Sequence, residues 1–381
     1  MIYLDHAATS WPKPPGVVDA MIEAVTVYGA NPGRGSHSMS LDASRSIYQA
    51  RSSIARLFSI KDPNRLVFTK NTTEALNLAL FGFLKNDDHV ICTSIEHNSV
   101  RRPLEYLKKT KRISITYLEH SADGELNADQ IADKIQPNTR LIVVTHGSNL
   151  LGTIIDLAKI KEIAESNSIP ILVDCAQTAG VFPISIRDLD IDFLAMPGHK
   201  GLLGPQGTGV LYVSPKYEIE PFIYGGTGSR SEDIEQPKIW PEGYEAGTIN
   251  TPGIAGLSKG VNYVLEQLKN KPHIKEWELT QYIIEKLLSI NTIKILGPTL
   301  GKPRCGLISF THSKLDAAEF SNILDKHYSI CVRSGFHCAP MAHQLAGTIE
   351  TGAIRASVGW NTKLEDVEQF INAIKEIEKS L

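Results

Sequence analysis

From residue 65 to residue 213 the chain alternates short apolar runs with segments of helical spacing. This alternation restricts the fold more than any other feature of the sequence. The strand-like runs are RLVFT (65–69), HVICTS (89–94), ISITYL (113–118), RLIVVTH (140–146), IPILVDCA (169–176), DFLAMP (192–197) and GVLYV (209–213). Helical stretches lie between several of them, over 72–84, after His97, near 127–135 and over 156–167. The pattern predicts an α/β chain with a mostly parallel sheet and helices on both faces. Ligands of such sheets sit at the C-terminal ends of the strands. Polar residues just beyond those runs are therefore the first candidates for a site.

From about 214 to 255 the alternation gives way to Gly, Pro and charge, in YGGTGSRSEDIEQPKIWPEGYEAGTINTPG, which reads as long functional loops. Helical stretches over 256–269 and 274–289, strands near 304–311 and 329–333, and a closing amphipathic helix over 364–380 then predict a second, smaller α+β domain. The 381 residues suffice for such an arrangement.

Composition narrows the partners. Lysine and arginine number 39 against 42 acidic residues, a net charge of -3, which gives no electrostatic reason to expect nucleic acid or an anionic membrane. The N-terminus, MIYLDHAATSWPKPP, has neither a basic leader nor an apolar core of signal-peptide type. The helix-like apolar stretch over 75–84 is too short to span a bilayer. Five scattered cysteines (Cys92, Cys175, Cys305, Cys331, Cys338) suit free thiols in a reducing cytoplasm.

Several residues beyond the strands carry chemistry. Asn71-Thr72-Thr73-Glu74 has the pattern of a capping box. A helix start of this kind, with free N–H groups and two hydroxyls, is either a plain cap or a phosphate cradle. Asp174 ends an apolar strand, where a carboxylate needs a partner. A pyridinium nitrogen would suit it, with Gln177 reaching an adjacent ring hydroxyl; the plainer role is a cap on the next helix. Lys200 stands among Gly198, His199, Gly201 and Gly204. It is either a solvated loop lysine or a desolvated amine that forms a Schiff base with an aldehyde. Lys200 and Asp174 together are the two groups that a pyridoxal-phosphate (PLP) site requires. Cys338, in VRSGFHCAPM, is a candidate nucleophile, with Arg333 and His337 near enough in sequence to supply positive charge. A zinc site from Cys331, His337, Cys338 and His343 does not match the usual ligand spacings. Arg355 can grip a carboxylate with two parallel hydrogen bonds or form a surface ion pair.

Taken in order, YLDHAAT, NTTEALN, EHNS, SNLLG, VDCAQ, GHKGLLGPQGTG, EAGTINT, RSGFHCA and IRASVGWNT resemble the class V aminotransferase family, and within it the cysteine desulfurases. The resemblance runs along almost the whole chain. It implies the PLP fold type I, with a large domain over 15–255 and a small domain formed by 1–14 and 256–381 that carries the cysteine loop and the substrate arginine. It implies Lys200 as the Schiff-base lysine, Asp174 as the pyridinium partner and Gln177 as the ring-hydroxyl partner. By the same resemblance His97 stacks on the ring and assists proton transfer, and Asn149 lies beside the ring and substrate. Thr72, Thr73 and His199 are similar to phosphate ligands, and Thr248 to a threonine reaching the phosphate from the other subunit of a homodimer. Arg355, with Arg333, corresponds to the binder of the substrate carboxylate. Cys338 resembles the nucleophile that takes sulfur from L-cysteine as a persulfide and leaves L-alanine.

The short RSGFHCA context resembles the group II (SUF-type) branch. A small sulfur-acceptor protein is implied as partner. The destination of the sulfur (iron–sulfur cluster assembly, tRNA thiolation or a dedicated pathway) stays open at this level. Two departures stand out. Pro197 replaces a hydroxyl residue that donates to the phosphate in the family, and Asn71 replaces a common glycine. Selenocysteine lysis and transamination on the same scaffold are the rival reactions, and a non-catalytic scaffold of a sulfur-transfer assembly is the rival role.

Overall fold

The computed structural model of the protein describes residues 1–33, 35–230 and 232–381. After a two-residue strand, β1 (Ile2–Tyr3), the chain forms helices α1 (Val17–Thr26) and α2 (Ser38–Leu57). The expected alternation then appears as β2 (Leu66–Thr69), α3 (Thr72–Phe83), β3 (His89–Thr93), α4 (Asn98–Thr110) and β4 (Ser114–Leu118). It continues with α5 (Gln130–Lys134), β5 (Thr139–Thr145), α6 (Leu157–Ser166), β6 (Ile171–Asp174), α7 (Ile186–Leu189), β7 (Phe193–Pro197) and β8 (Gly209–Val213).

Strands β2 to β8 make one seven-stranded sheet in the order β2–β8–β7–β6–β5–β3–β4. The pairs among β3 to β7 are parallel, whereas β8 runs antiparallel to both its neighbours, β2 and β7. The mostly parallel sheet expected from the sequence is thus present. Its strands read as unbroken apolar runs because both faces are covered. On one face Ile54, Ile131, Ile160 and Ile186 of α2, α5, α6 and α7 pack on Ile142, Val144, Ile171 and Val173. On the other face Leu76, Leu80, Val100 and Leu104 of α3 and α4 pack on Val67, Val90, Leu141 and Leu211.

The C-terminal part contains α8 (Thr251–Gln267), α9 (Pro272–Leu287), β9 (Ile293–Leu296), β10 (Leu307–His312), α10 (Ala317–Tyr328), β11 (Ile330–Cys331), β12 (Arg333–Gly335), α11 (Pro340–Ala346), β13 (Ala353–Ser357) and α12 (Leu364–Ser380). A four-stranded antiparallel sheet, β12–β13–β10–β9, and the parallel pair β1–β11 lie here. Ile2 and Leu4 share a separate apolar core with Ile283, Phe310, Phe320, Ile354 and Phe370, so the first residues of the chain join its last hundred. The expected switch between units at 255/256 falls inside α8, whose Ile254, Leu257 and Val261 all belong to the core of the large sheet.

Candidate active site

Every candidate residue of the large sheet lies at the C-terminal ends of parallel strands, or at the helix start just past β2. His97 follows β3, Asn149 follows β5, Asp174 closes β6, and His199 and Lys200 follow β7. Asp174 lies beside Thr145 on β5 and Ala195 on β7, near the middle of the sheet. It is buried, and its Oδ1 accepts the Ala176 N–H at 2.8 Å. Burial pushes its carboxyl up to about 6, against the opposing effects of the Ala176 N–H and of Lys200. Lys200 is pulled down to about 8, first by desolvation and next by Arg355, while Asp174 works in the opposite direction. An amine so lowered holds a sizeable neutral fraction near neutral pH. Neither Asp174 nor Lys200 has an ion-pair partner among the described residues.

His97 is the N-cap of α4. Its Nδ1 accepts the Ser99 N–H at 3.0 Å and lies 2.8 Å from Ser99 Oγ, which in turn is 2.7 Å from Thr73 Oγ1. Desolvation, then the nearby Lys200 and Arg333, hold His97 down at about 4. The ring is therefore neutral with its proton on Nε2, because Nδ1 serves as acceptor. At the start of α3, Asn71 Oδ1 accepts the Glu74 N–H at 2.9 Å, as the capping pattern predicts. The reciprocal bond is displaced by one residue: Glu74 Oε2 takes the Lys70 N–H at 2.5 Å instead of that of Asn71. The amides of Thr72 and Thr73 are left as free first-turn donors.

The His199 side chain approaches Thr9 Oγ1 at 3.1 Å through Nδ1, and its carbonyl accepts from the Ser10 N–H and from Lys13 Nζ, both at 3.0 Å. The N-terminal segment thereby props the lysine loop from beneath. Gln177 Nε2 donates to the Ala7 carbonyl at 3.2 Å. Pro197 ends β7 opposite Gly209 and is buried.

Residues of the C-terminal part converge on the same cleft. Arg333 and Arg355 face each other across β12 and β13. Like charges placed directly opposite on adjacent strands are unfavourable, which marks the pair as more than scaffolding. Arg355 is 2% exposed, not the surface ion pair considered above. Its NH1 donates to the Asn149 carbonyl at 2.9 Å and its NH2 to Asp5 Oδ1 at 3.1 Å, while Nε is buried without a partner. Asn149 also donates through Nδ2 to the His337 carbonyl. Cys338 is half-buried in the loop between β12 and α11, and its carbonyl accepts the Asn98 N–H at 2.7 Å.

One expectation needs correction. His337 brings no positive charge to Cys338. It is buried, its Nε2 lies 3.0 Å from the Ala353 carbonyl, and desolvation with the neighbouring Arg355 takes its ring down to about 3. The four residues considered for zinc do not converge: both nitrogens of His343 bond to the protein, and among the described residues no group of three or more His, Cys, Asp or Glu is arranged to hold a metal. Thr248 is exposed and lines a surface cavity with Lys70 and Glu74 and not with Thr72 or Thr73 of its own chain.

Further residues of the site carry little or no mark in the sequence. Asp5 lies in the YLDHAAT motif and Lys13 just after it, and their partners show only in three dimensions. Glu96 is buried between β3 and β5, its Oε1 accepting from Thr93 Oγ1 at 2.5 Å and the Thr145 N–H at 2.6 Å, and burial raises its carboxyl to about 8. A carboxylate directly after an apolar strand was its available signal. Glu245 of the EAGT motif forms a buried two-pronged pair with Arg51, at 2.9 and 3.0 Å, and accepts the Phe68 N–H at 2.6 Å, which pins the loop leading to Thr248.

The residues fit PLP. A buried carboxyl without a cation suits a ring nitrogen, an unpaired lysine of lowered basicity suits an aldehyde, and a helix start with free amides suits a phosphate. A cleft of this composition at the C-terminal edge of an α/β sheet defines a PLP-enzyme scaffold. The chain belongs to the family described as Aminotransferase class-V, which matches residues 2–370, and that family is PLP-dependent. A probable cysteine desulfurase of Methanothermobacter thermautotrophicus is 35% identical over a 382-residue alignment covering 99% of this chain and 94% of that protein. The cysteine desulfurase of Haloferax volcanii is 32% identical, with 98% and 88% covered. The apo structure of a cysteine desulfurase from Thermococcus onnurineus NA1 matches with a TM-score of 0.93 at 34% identity, covering 100% of this chain and 95% of that one. The type I fold expected from the sequence is the fold these proteins share.

Proposed function

We propose that the protein is a PLP-dependent cysteine desulfurase that moves sulfur from L-cysteine onto Cys338 and releases L-alanine. The observation that carries this reading is the placement of Cys338, on a loop tied to Asn98 and Asn149, in the same cleft as Lys200, Asp174 and the two facing arginines. Transamination has no use for a thiol there.

In this reading Asp174 holds the ring nitrogen, Gln177 the ring hydroxyl, Lys200 the aldehyde carbon, and Thr72, Thr73 and His199 the phosphate. Bound there, PLP supplies an electron sink for the carbon next to the substrate amino group. Arg355 receives the substrate carboxylate; Nε and the second N–H of each terminal nitrogen are the donors left after Asp5 and Asn149 have oriented the guanidinium. Arg333 adds the second positive charge. His97, neutral and fixed through Ser99, carries a proton on Nε2 at the ring face. Cys338 Sγ forms an S–S bond to the substrate sulfur as the substrate C–S bond breaks. The electron pair of that bond stays with carbon, which takes up a proton and departs as L-alanine.

The protein works as a homodimer in which Thr248 serves the phosphate of the neighbouring copy. Supporting this, Thr248 is exposed and lines a surface cavity that does not include Thr72 or Thr73 of its own chain, and Phe222, Ile223 and Tyr224 are solvent-facing. The persulfide passes to a small sulfur-carrier protein. The setting is the reducing cytoplasm, which suits five free cysteines; among the described residues no helix is long and apolar enough to cross a membrane. The small domain comprises the N-terminal segment and the chain beyond α8.

The test uses PLP-loaded protein given L-cysteine. Alanine and a persulfide on Cys338, identified by peptide mass spectrometry, are expected in equal amounts in the first turnover. Cys338→Ser keeps the cofactor absorbance and loses sulfur release by roughly a thousandfold or more, as for other single nucleophile removals. Unchanged sulfur release by that variant overturns the assignment of Cys338.

A further inference from the structure

The backbone around Cys338 is held at three points, and one holder takes no part in the chemistry above. Cys338 has a φ of 60°, a left-handed conformation that is unfavourable for a residue with a side chain and persists only when its surroundings impose it. The His337 carbonyl accepts from Asn149, and the Cys338 carbonyl accepts the Asn98 N–H at 2.7 Å. Both of these anchors come from the large-sheet side of the cleft. The third comes from α11: the His337 N–H donates to His343 Nε2 at 3.0 Å.

The partners of His343 settle its tautomer. The ring is fully buried. Because Nε2 accepts a backbone N–H, the ring proton sits on Nδ1, which lies 2.8 Å from Thr348 Oγ1. The Thr348 hydroxyl in turn donates to the His343 carbonyl at 3.4 Å. Donor and acceptor roles are complete along this chain, with neither nitrogen spare for a ligand.

We propose that His343 is a positioning residue: through the His337 N–H it imposes the left-handed backbone from which Cys338 reaches the substrate sulfur, and Thr348 keeps its acceptor nitrogen pointing at the loop. This rests on the reading of Cys338 as the sulfur-accepting thiol. The competing role is core filling, because the ring also packs on Phe336 at 4.7 Å and lies nearly parallel to His337 at 5.8 Å. Two substitutions separate the roles. His343→Phe keeps an aromatic ring and removes the acceptor, whereas His343→Gln keeps an acceptor at a similar reach and removes the ring.

The experiment compares PLP-loaded wild type, H343F and H343Q in kcat and KM for L-cysteine, cofactor absorbance, thermal midpoint, and the rate of Cys338 alkylation by iodoacetamide without substrate. H343F is expected to lower kcat by roughly tenfold or more, since small misplacements of a reacting atom are costly, with KM and cofactor content within about twofold. Its Cys338 alkylation rises by about threefold or more as the loop loosens, a change in accessibility of the kind local opening produces. H343Q recovers most of both. A kcat for H343F within about twofold of wild type overturns the proposal. So does an H343Q as impaired as H343F, or a loss that follows the thermal midpoint. If the wild type forms no persulfide, the desulfurase reading fails by itself, while the alkylation rates still decide whether His343 sets the loop.

Discussion

At the scale of single residues, the site depends on groups kept in states that water would not favour. Asp174 is a buried carboxyl whose one hydrogen-bond donor is a backbone amide. That arrangement is unfavourable in the empty protein and favourable once a cationic ring nitrogen arrives. Asp174→Asn therefore has opposite consequences in the two states. The apo variant is expected to melt no lower than the apo wild type at pH 7, because an unpaired buried charge has been removed. Cofactor retention is expected to weaken by roughly 2–5 kcal/mol, the usual consequence of truncating one side of a buried charged pair. Thermal scans of apo protein and titration of PLP by absorbance measure the two halves; a variant that holds PLP like wild type contradicts the ring-nitrogen role. These residues differed in how legible they were. Lys200 and Asp174 sit directly beyond apolar strands, among glycines or at a strand end, so their anomaly shows in one dimension. Asp5 and Lys13 carry no such mark. Their partners, Arg355 and the His199 carbonyl, lie 350 and 186 residues away along the chain. His337 misled for the reverse reason. Adjacency to Cys338 in sequence promised a charge that burial removes.

At the scale of elements, the alternation of strand and helix was legible wherever apolar residues were large and closely spaced. Strands β2 to β8 and helices α3, α4, α6, α9 and α12 all fall on segments marked out by that spacing. Helix α2 was not legible although it is twenty residues long. Its buried stripe is Ser40, Ala43, Ile47, Ala50, Arg51, Ile54 and Ala55, in which small and polar residues blur the contrast between faces. Strand β13 escaped because all five of its residues are buried, Arg355 and Ser357 included, so no alternation remains. How closely the elements are fitted appears at the lysine loop. A Cβ on Gly201 would stand 2.3 Å from the Ala179 carbonyl oxygen and 2.9 Å from Val181 Cγ2. The first of these is backbone of the turn after β6 that presents Gln177, so it cannot rotate away. Gly201→Ala must separate the Lys200 loop from that turn. The expected result is a loss of about 1–3 kcal/mol in stability from overpacking and a fall of roughly tenfold or more in kcat/KM from displacement of Lys200. Denaturant unfolding and steady-state kinetics check the two, and an alanine variant with wild-type kinetics would show that the loop tolerates the separation.

At the scale of the whole molecule, the two cores are joined by a cleft lined with ionisable groups, and this gives stability a definite pH dependence. Glu276 of α9 shows the effect clearly. It is buried and lines the cavity behind Lys200, together with His6, Gln177 and Trp360. A Cβ on Gly306 would lie 2.3 Å from its Oε2, so the carboxyl is pressed against the backbone. Desolvation raises its pKa from 4.5 to about 8, with Lys275 opposing. The folded protein therefore keeps a proton on Glu276 where the unfolded chain has lost it. Stability rises with pH only where the unfolded state binds more protons, and here the folded state binds more. The contribution of this group is complete below pH 4.5 and is lost as pH rises through about 8. Glu96, raised to about 8 by burial beside Asp174, acts in the same direction from the other side of the site. Glu276→Gln removes the ionisation while keeping shape and hydrogen-bonding capacity. The variant is expected to match the wild type in thermal midpoint near pH 5 and to exceed it near pH 8, by about 1 °C for each ~1 kcal/mol restored in a chain of this size. Scans of PLP-loaded protein across that range measure the difference, and parallel curves for the two proteins would mean that Glu276 titrates as it does in water.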